Sequence, residues 1–223
     1  TDATGIKTYR GWTIRHEELV SLYAVQIAEY LGLSNEHLLK IAFAASIHDV
    51  GKTETPYEIL NKPGKLTPEE FKVMQRHPLD GDLILAALGT PLEIRRIVEG
   101  HHEYLDGSGY PHQLKGDPEE RHFMGELIEK QAQGYLSFES MILVVADVFG
   151  ALIEARPYRD KGFPPEKALE ILATDQGQKY HPDVVAALRQ VVWGSASTRR
   201  SEVRLPVTLK AGLLPTQDSS GPL

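Results

Sequence analysis

Histidines and aspartates interrupt the apolar faces of several predicted helices or lie directly beside such a position. These residues are His16, His48, Asp49, His77, His101, His102 and Asp147. Asp147 lies in the most hydrophobic segment of the chain, where an ionised carboxylate is costly unless it is paired or bound to metal. Each histidine taken alone is better explained as a hydrogen-bonded core residue than as a ligand. Taken together, the seven side chains favour an oxygen and nitrogen site for divalent metal.

The absence of cysteine narrows the chemistry that the chain can support. The 223 residues include nine histidines and no cysteine, which excludes a disulfide framework and thiolate ligands or nucleophiles. The formal net charge of −7 argues against a nucleic-acid polymer as partner. No apolar run approaches the roughly 20 residues of a membrane span, and no signal peptide is visible. We therefore expect a cytoplasmic protein.

The adjacent pair His48 and Asp49 precedes a glycine and a lysine. Neighbours on a helix point about 100° apart, so the pair could flank one ion or bridge two ions. Gly51 is predicted to end the helix, and Lys52 would then place a cation at the rim of the site, suited to a phosphate oxygen. The alternative for Lys52 is a solvated surface side chain.

Two further segments contain residues that commonly contact nucleotides. The segment 106–111 contains two glycines, which permit close approach of a ligand to the backbone, although a plain surface turn has the same composition. Arg156, Tyr158 and Arg159 follow the most hydrophobic helix, and such residues bind phosphate and stack on bases. A solvated helix end is the alternative for this second segment.

The spacing of apolar residues predicts helices over most of the chain and hence an all-α fold. The predicted helices cover about 19–31, 34–51, 141–155, 164–173 and 182–193, and two more start at Thr67 and Thr90. Thr67 and Glu70 form a capping box, and Pro78 and Gly81 should kink or split the helix that follows. The remaining predictions are a loop at 56–65, a short helix at 124–131, a strand at 203–210 and a disordered tail at 216–223. Surface or capping positions are predicted for His37, His112, His122 and His181.

In this order along the chain, the motifs resemble the HD-GYP domain, a subgroup of the HD metal-dependent phosphohydrolases. The motifs are His48-Asp49 with Gly51-Lys52, His101-His102-Glu103, the segment 106–111 (the GYP loop), 145–149 around Asp147, and 156–159. The resemblance implies an all-α HD-domain helical bundle with a GYP loop. The expected organisation is an HD-GYP-type phosphohydrolase domain over 1–193 with an insertion at about 117–140, and a partly disordered C-terminal extension over 194–223.

The resemblance also implies roles for individual residues. The metal ligands would be His16, His48, Asp49, His77, His101, His102 and Asp147. Asp49 and Lys52 would be catalytic, and substrate would be bound by Lys52, Gly109, Tyr110, Pro111, Arg156 and Arg159. The expected cofactor is a pair of divalent metal ions, iron or manganese ahead of nickel, magnesium or zinc.

Two positions depart from the pattern of the family. Trp12 stands where some members carry a glutamate that supports a third metal ion, so two ions are expected here. Gly150 stands where the family usually has an aspartate, three residues after Asp147.

The implied function is a metal-dependent phosphodiesterase that hydrolyses cyclic di-GMP to pGpG, GMP or both in bacterial second-messenger signalling. The implied partners are the dinucleotide, an upstream sensor or receiver domain, a GGDEF-type protein and a second copy of the chain as a homodimer. Two alternatives stay open. One is an HD-type phosphohydrolase acting on another nucleotide or cyclic dinucleotide, and the other is a non-catalytic ligand-sensing or interaction module.

Overall fold

The computed structural model describes residues 6–119, 135–154 and 161–198. Within these ranges the regular structure is helical with no strand, which confirms the all-α prediction. The α-helices are α1 (Ile6–Tyr30), α2 (Asn35–Ile47), α3 (Tyr57–Leu60), α4 (Pro68–Met74), α5 (His77–Ala87), α6 (Leu92–Glu99), α7 (Phe138–Ile153), α8 (Pro165–Thr174) and α9 (Pro182–Thr198). A 3₁₀ helix, Val50–Glu54, follows α2. None of the helices in the described ranges is long and apolar enough to cross a membrane.

Helix α7 occupies the centre of the bundle. Twelve of its sixteen residues are buried, which is the pattern of a helix covered on nearly every side. Helix α1 packs against α2, α7 and α9, and α6 and α8 also contact α7. Asp147 on α7 is therefore placed deep in the molecule by the packing of its apolar neighbours.

Local signals in the sequence account for two of the helix boundaries. The capping box at the start of α4 forms as predicted, with Glu70 donating its backbone N–H to Thr67 Oγ1 at 3.2 Å and accepting from the Thr67 N–H at 2.7 Å. The predicted split near Pro78 also occurs, because α4 ends at Met74 and a new helix begins at His77. Proline is compatible with the first turn of α5, where its missing N–H has no helical acceptor.

Other boundaries differ from the predicted ones. Helix α7 begins at Phe138 rather than at residue 141, because Ser137 caps it by accepting the N–H of Ser140 at 3.1 Å. The last helix continues beyond residue 193 to Thr198. The predicted loop 56–65 contains the short helix α3.

His48 and Asp49 lie at the end of a helix and not inside one. Helix α2 ends at Ile47, His48 is its C-cap, and Asp49 has φ −94° and ψ 7°. The chain turns here into the 3₁₀ helix, and the ligand atoms of the two side chains lie close together, with His48 Nε2 3.7 Å from Asp49 Oδ2.

Two histidines that were predicted at surface or capping positions are buried, and His181 does cap a helix, because its Nδ1 accepts the N–H of Asp183 at 3.2 Å at the start of α9. His37 Nδ1 lies 2.7 Å from Glu139 Oε1, and the ring of His181 packs edge-on against Phe138. The prediction failed for His37, because its partner comes from α7, which is distant from His37 in sequence. His112 is exposed, as predicted.

Several predictions lie outside the described residues. They concern His122, Arg156, Arg159, the helix at 124–131, the strand at 203–210 and the tail at 216–223. The described ends of the predicted insertion meet, because Lys115 forms a bridge with Tyr135. The two chain segments that flank the insertion are therefore adjacent in space. The domain boundary between residues 193 and 194 stays a prediction.

The 3₁₀ helix packs directly on the backbone of α5 through Gly51. A Cβ atom at this position would lie 1.9 Å from the carbonyl oxygen of His77 and 2.4 Å from the amide nitrogen of Gly81. Only glycine permits this approach, which sets the distance between Asp49 and His77.

We expect Gly51→Ala to lower the free energy of unfolding of the metal-free protein by about 2–3 kcal/mol or more, because the added methyl group overlaps rigid backbone. Gly81→Ala is the matched control, since its Cβ would find its nearest atom at 3.4 Å. The control should change stability by less than about 1 kcal/mol. Urea unfolding followed by circular dichroism measures both, and equal effects would contradict the close-packing argument.

Candidate metal centre

Seven side chains from separate parts of the chain converge at one end of α7. They form two groups of potential ligands, and the ligand atoms within each group lie within 4.8 Å of one another. One group is His16, His48 and Asp49, and the other is His77, His101 and His102. Asp147 adjoins the first group, with Oδ1 2.9 Å from His16 Nε2 and 3.9 Å from His48 Nε2.

Asp49 joins the two groups. Its Oδ1 lies 3.5 Å from His77 Nε2 and 3.8 Å from His101 Nε2, whereas its Oδ2 lies 3.7 Å from His48 Nε2. A carboxylate can coordinate one cation through each oxygen. The position of Asp49 therefore suits a ligand shared between two ions, in agreement with the bridging option left open by the sequence.

Most of the ligand side chains project from the ends of helices. His48 and Asp49 lie between α2 and the 3₁₀ helix, His77 begins α5, and His101 and His102 follow α6. Only His16 on α1 and Asp147 on α7 lie within longer helices. Helix ends allow several side chains to meet at one point while the helices themselves pack side by side.

Backbone carbonyls fix the orientation of three of the histidine rings. The Nδ1 atom contacts the carbonyl oxygen three residues earlier in His48 (2.7 Å), His77 (2.8 Å) and His101 (2.5 Å). A carbonyl oxygen only accepts, so Nδ1 carries the proton and Nε2 presents a lone pair in the neutral ring. This is the tautomer that binds metal through Nε2.

The arrangement fits divalent cations. The Nε2 atoms of His77 and His101 face each other at 3.1 Å, and their lone pairs would repel without a positive charge between them. Within the described residues, the buried His48 Nε2 and Asp49 Oδ1 also have no hydrogen-bond partner. Buried polar atoms are rarely left unpaired, and a cation coordinated by these atoms accounts for them.

Burial keeps the histidines in the neutral form that binds metal. Desolvation lowers the pKa of His77 to about 4 and that of His102 to about 3, and it lowers the pKa of His101 well below its usual range. These imidazoles are therefore neutral near pH 7. Metal ions need not displace protons from them at that pH.

Both aspartates are ionised at the same pH. Burial acts to raise the pKa of Asp49, but Lys52 and then the neighbouring histidines outweigh it and hold the pKa well below the usual value. Burial likewise acts to raise the pKa of Asp147, and the hydrogen bond to His16 and nearby histidines lower it further than burial raises it. Neutral imidazoles and charged carboxylates are the ligand forms that metal binding requires.

Lys52 connects the metal centre to an open cleft. Its Nζ lies 2.5 Å from Asp49 Oδ2, and the lysine side chain remains partly exposed. The cleft has a volume of about 580 Å³, and its walls include Glu17, Asp49, Lys52, Thr53 and Tyr57. A phosphate group could therefore reach Lys52 and the centre from the same side.

The GYP loop packs against the second group of histidines. The Tyr110 N–H donates to the carbonyl oxygen of His102 at 3.0 Å, and the two rings lie 4.7 Å apart. A Cβ at Gly109 would lie 2.4 Å from the His102 carbonyl oxygen, so glycine permits the contact. The Tyr110–Pro111 peptide bond is cis. The structure thus brings the predicted loop to the site, whereas Arg156 and Arg159 lie outside the described residues.

Three residues near the site were not identified from the sequence. Glu103 is fully buried and accepts the backbone N–H groups of His112 at 2.5 Å and Leu114 at 3.0 Å. Phe71 contacts Tyr110 edge to face, with the ring centres 6.3 Å apart. Glu154 lies beside His16. A glutamate directly after His101-His102 was visible, but no sequence pattern indicated which backbone groups it binds.

Comparison with known proteins places the chain in a family. The sequence profile of the HD domain family matches residues 5–118, just over half of the chain. The chain belongs to the HD domain family. The resemblance predicted from the motifs is therefore confirmed, and this family is metal-dependent, in agreement with the histidine and aspartate groups of the HD domain described above.

Curated relatives of this HD domain protein include enzymes of cyclic dinucleotide metabolism. A cyclic di-GMP phosphodiesterase from Thermotoga maritima is 39% identical over 177 residues, which cover 78% of this chain and 43% of the relative. The cyclic di-GMP phosphodiesterase response regulator RpfG from Xanthomonas campestris is 37% identical over 188 residues, covering 83% and 45%. The chain thus spans less than half the length of these two relatives.

Solved structures confirm the HD-domain bundle. Bd1817, an HDG"Y"P protein from Bdellovibrio bacteriovorus, superimposes with a TM-score of 0.61 at 19% identity, covering 82% of this chain and 53% of that protein. The HD domain of the phosphodiesterase PgpH from L. monocytogenes, in complex with cyclic-di-AMP, gives a TM-score of 0.55 at 17% identity, covering 87% and 94%. These similarities concern the fold alone.

We expect Glu103→Gln to lower the free energy of unfolding by about 1–3 kcal/mol, because one carboxylate oxygen that accepts a backbone N–H becomes an amide donor in a buried position. Urea unfolding of the metal-free protein measures this loss. The exposed Glu18→Gln is the control and should change stability by less than about 0.5 kcal/mol. A neutral effect of Glu103→Gln would mean that its carboxylate does not hold the segment after Pro111.

Proposed function

We propose that this HD domain is the catalytic part of a metal-dependent phosphodiesterase that hydrolyses cyclic di-GMP to pGpG, GMP or both. The observation that carries the proposal is the shared position of Asp49 between two groups of imidazole ligands, at the edge of a cleft that also contains Lys52. Relatives at 37–39% identity are named as cyclic di-GMP phosphodiesterases, which supports the choice of substrate.

The proposed cofactor is two divalent cations, one for each group of ligands, with Asp49 between them. His16, His48, Asp49 and Asp147 would hold the first ion, and Asp49, His77, His101 and His102 would hold the second. Imidazole favours iron, nickel and zinc, whereas carboxylate favours manganese and magnesium. The mixed donor set therefore suits iron or manganese best.

The chain's own residues perform three tasks in this reaction. Divalent cations, when bound, supply Lewis acidity and lower the pKa of a water molecule. Lys52 places its ammonium group at the mouth of the cleft, where it can neutralise charge that develops on a phosphoryl oxygen. The phenol of Tyr110 stays protonated, because burial raises its pKa, and it can donate a hydrogen bond to the substrate. The packed helices exclude bulk water from the far side of the centre.

A different cyclic dinucleotide is a second candidate substrate. A 3'3'-cGAMP-specific phosphodiesterase from Vibrio cholerae is 33% identical over 181 residues, covering 81% of this chain and 35% of the relative. The shared chemistry is a phosphodiester bond between two nucleosides, and only the bases differ. A panel of cyclic di-GMP, 3'3'-cGAMP and cyclic di-AMP distinguishes these substrates directly.

Protein loaded anaerobically with Fe(II) or Mn(II) is expected to convert cyclic di-GMP to pGpG or GMP, as measured by chromatography of the products. Lys52→Met should lower kcat by about 100-fold, the usual effect of removing one group that stabilises transition-state charge. Lys167→Met on the exposed surface of α8 is the matched control. Loss of all three panel activities in fully metal-loaded protein would exclude the enzyme and leave a ligand-sensing module.

The number of bound ions should respond differently to substitutions in the two groups. We expect two ions per chain in the unmodified protein and about one in His102→Ala, because only the second group loses a ligand. Asp49→Asn should reduce loading at both positions. Elemental analysis after removal of free metal measures the ratio, and retention of two ions in Asp49→Asn would contradict the shared role of this residue.

A further inference from the structure

His16 is oriented differently from His48, His77 and His101. Those three rings donate Nδ1–H to the carbonyl oxygen three residues earlier, at or near a helix end. His16 lies inside the long helix α1, where backbone carbonyls are engaged in the helical ladder. Its ring orientation must therefore be fixed by another part of the chain.

Glu154 supplies that contact. Its Oε2 lies 2.7 Å from His16 Nδ1, and both side chains are largely buried. An ionised carboxylate only accepts hydrogen bonds, so this contact assigns a proton to Nδ1. Nε2 then points away from Glu154, toward the first ligand group, where it lies 2.9 Å from Asp147 Oδ1. The Asp147 carboxylate also only accepts, so a proton or a cation must lie between these two atoms, and a bound cation would take the place of the proton.

Gly150, one turn before Glu154, leaves space for this arrangement. A Cβ at position 150 would lie 3.5 Å from Cε1 and 3.7 Å from Nδ1 of His16. Position 150 thus faces the same edge of the imidazole that Glu154 reaches from the end of α7. In this chain the carboxylate next to His16 Nδ1 comes from residue 154, and position 150 has no side chain.

We propose that Glu154 is the positioning residue that orients His16 for metal binding, and that a carboxylate at position 150 could replace it. Because Glu154 already contacts His16 Nδ1, the first ligand group does not need a side chain at position 150. Glu154 does not itself reach into the cleft, so its effect passes through His16. The consequence for catalysis rests on the proposed function, whereas the consequence for metal binding does not.

The test compares Glu154→Ala, Glu154→Gln and the double variant Gly150→Asp/Glu154→Ala with the unmodified chain. Removing a carboxylate that orients a ligand histidine typically lowers metal affinity by about 10–100-fold, which is the expected effect of Glu154→Ala on Mn(II) binding. Glu154→Gln keeps an accepting oxygen and should lose less. The double variant should recover most of the affinity. Titration followed by the electron paramagnetic resonance of free Mn(II) measures each value.

A second readout reports the orientation directly. In protein labelled with ¹⁵N-histidine and loaded with Zn(II), long-range ¹H–¹⁵N correlation spectra show which ring nitrogen of His16 carries the proton. We expect Nδ1–H in the unmodified chain and loss of this pattern in Glu154→Ala. Glu166→Gln, on the exposed start of α8, is the control and should leave affinity and spectra unchanged.

The outcomes separate the inference from the proposed function. Unchanged Mn(II) affinity together with an unchanged His16 spectrum in Glu154→Ala would overturn the role of Glu154. If Gly150→Asp interferes with folding because Val20 Cγ2 would lie 3.2 Å from the new Cβ, the comparison of Glu154→Ala with Glu154→Gln still decides the question. Failure of the proposed function would instead appear as full metal loading without hydrolysis in the unmodified protein.

Discussion

The structure depends on keeping two carboxylates ionised inside an apolar helical bundle. Asp49 and Asp147 are both buried, and isolated charges in such surroundings are very costly. Lys52 compensates Asp49 from the cleft side, and five imidazoles surround the carboxylates from the other sides. Burial lowers the pKa of His77, His101 and His102, so these three imidazoles are neutral near pH 7 and cannot balance the charge. Divalent cations at this position would supply the missing positive charge and a partner for each converging lone pair.

This electrostatic requirement explains features of the fold that are otherwise unrelated. The close contact of Gly51 with the backbone of α5 brings His77 within reach of Asp49. Helix ends supply carbonyl oxygens that fix the rings of His48, His77 and His101. Position 51 therefore tolerates no side chain, because even a methyl group there would disturb the packing of the 3₁₀ helix on α5 and the distances between the ligand atoms.

The GYP loop and the cleft contact different ligands of the centre. Tyr110 packs on His102, and Glu103 accepts hydrogen bonds from the backbone that follows the loop. Lys52 lies on the side that opens to the cleft.

Residue types and spacing were sufficient to predict the helices, the capping box at Thr67 and the candidate ligands. The signal was strong because a polar residue on an apolar helical face is unfavourable without a compensating partner. Helix boundaries were less predictable from the sequence. Ser137, for example, extends α7 at its start through a local hydrogen bond that the spacing of apolar residues does not reveal. The burial of His37 could not be foreseen because its partner, Glu139, is about a hundred positions away.

The sequence by itself determined which side chains could bind metal, because the absence of cysteine and the placement of histidine and aspartate limit the donor chemistry. Only the tertiary structure decided how these ligands divide into two groups around Asp49. It also decided that the carboxylate at His16 Nδ1 comes from Glu154, a residue 138 positions further along the chain. The physical reason is that coordination depends on distances of a few ångströms between helices, which helix packing sets and local sequence patterns do not encode.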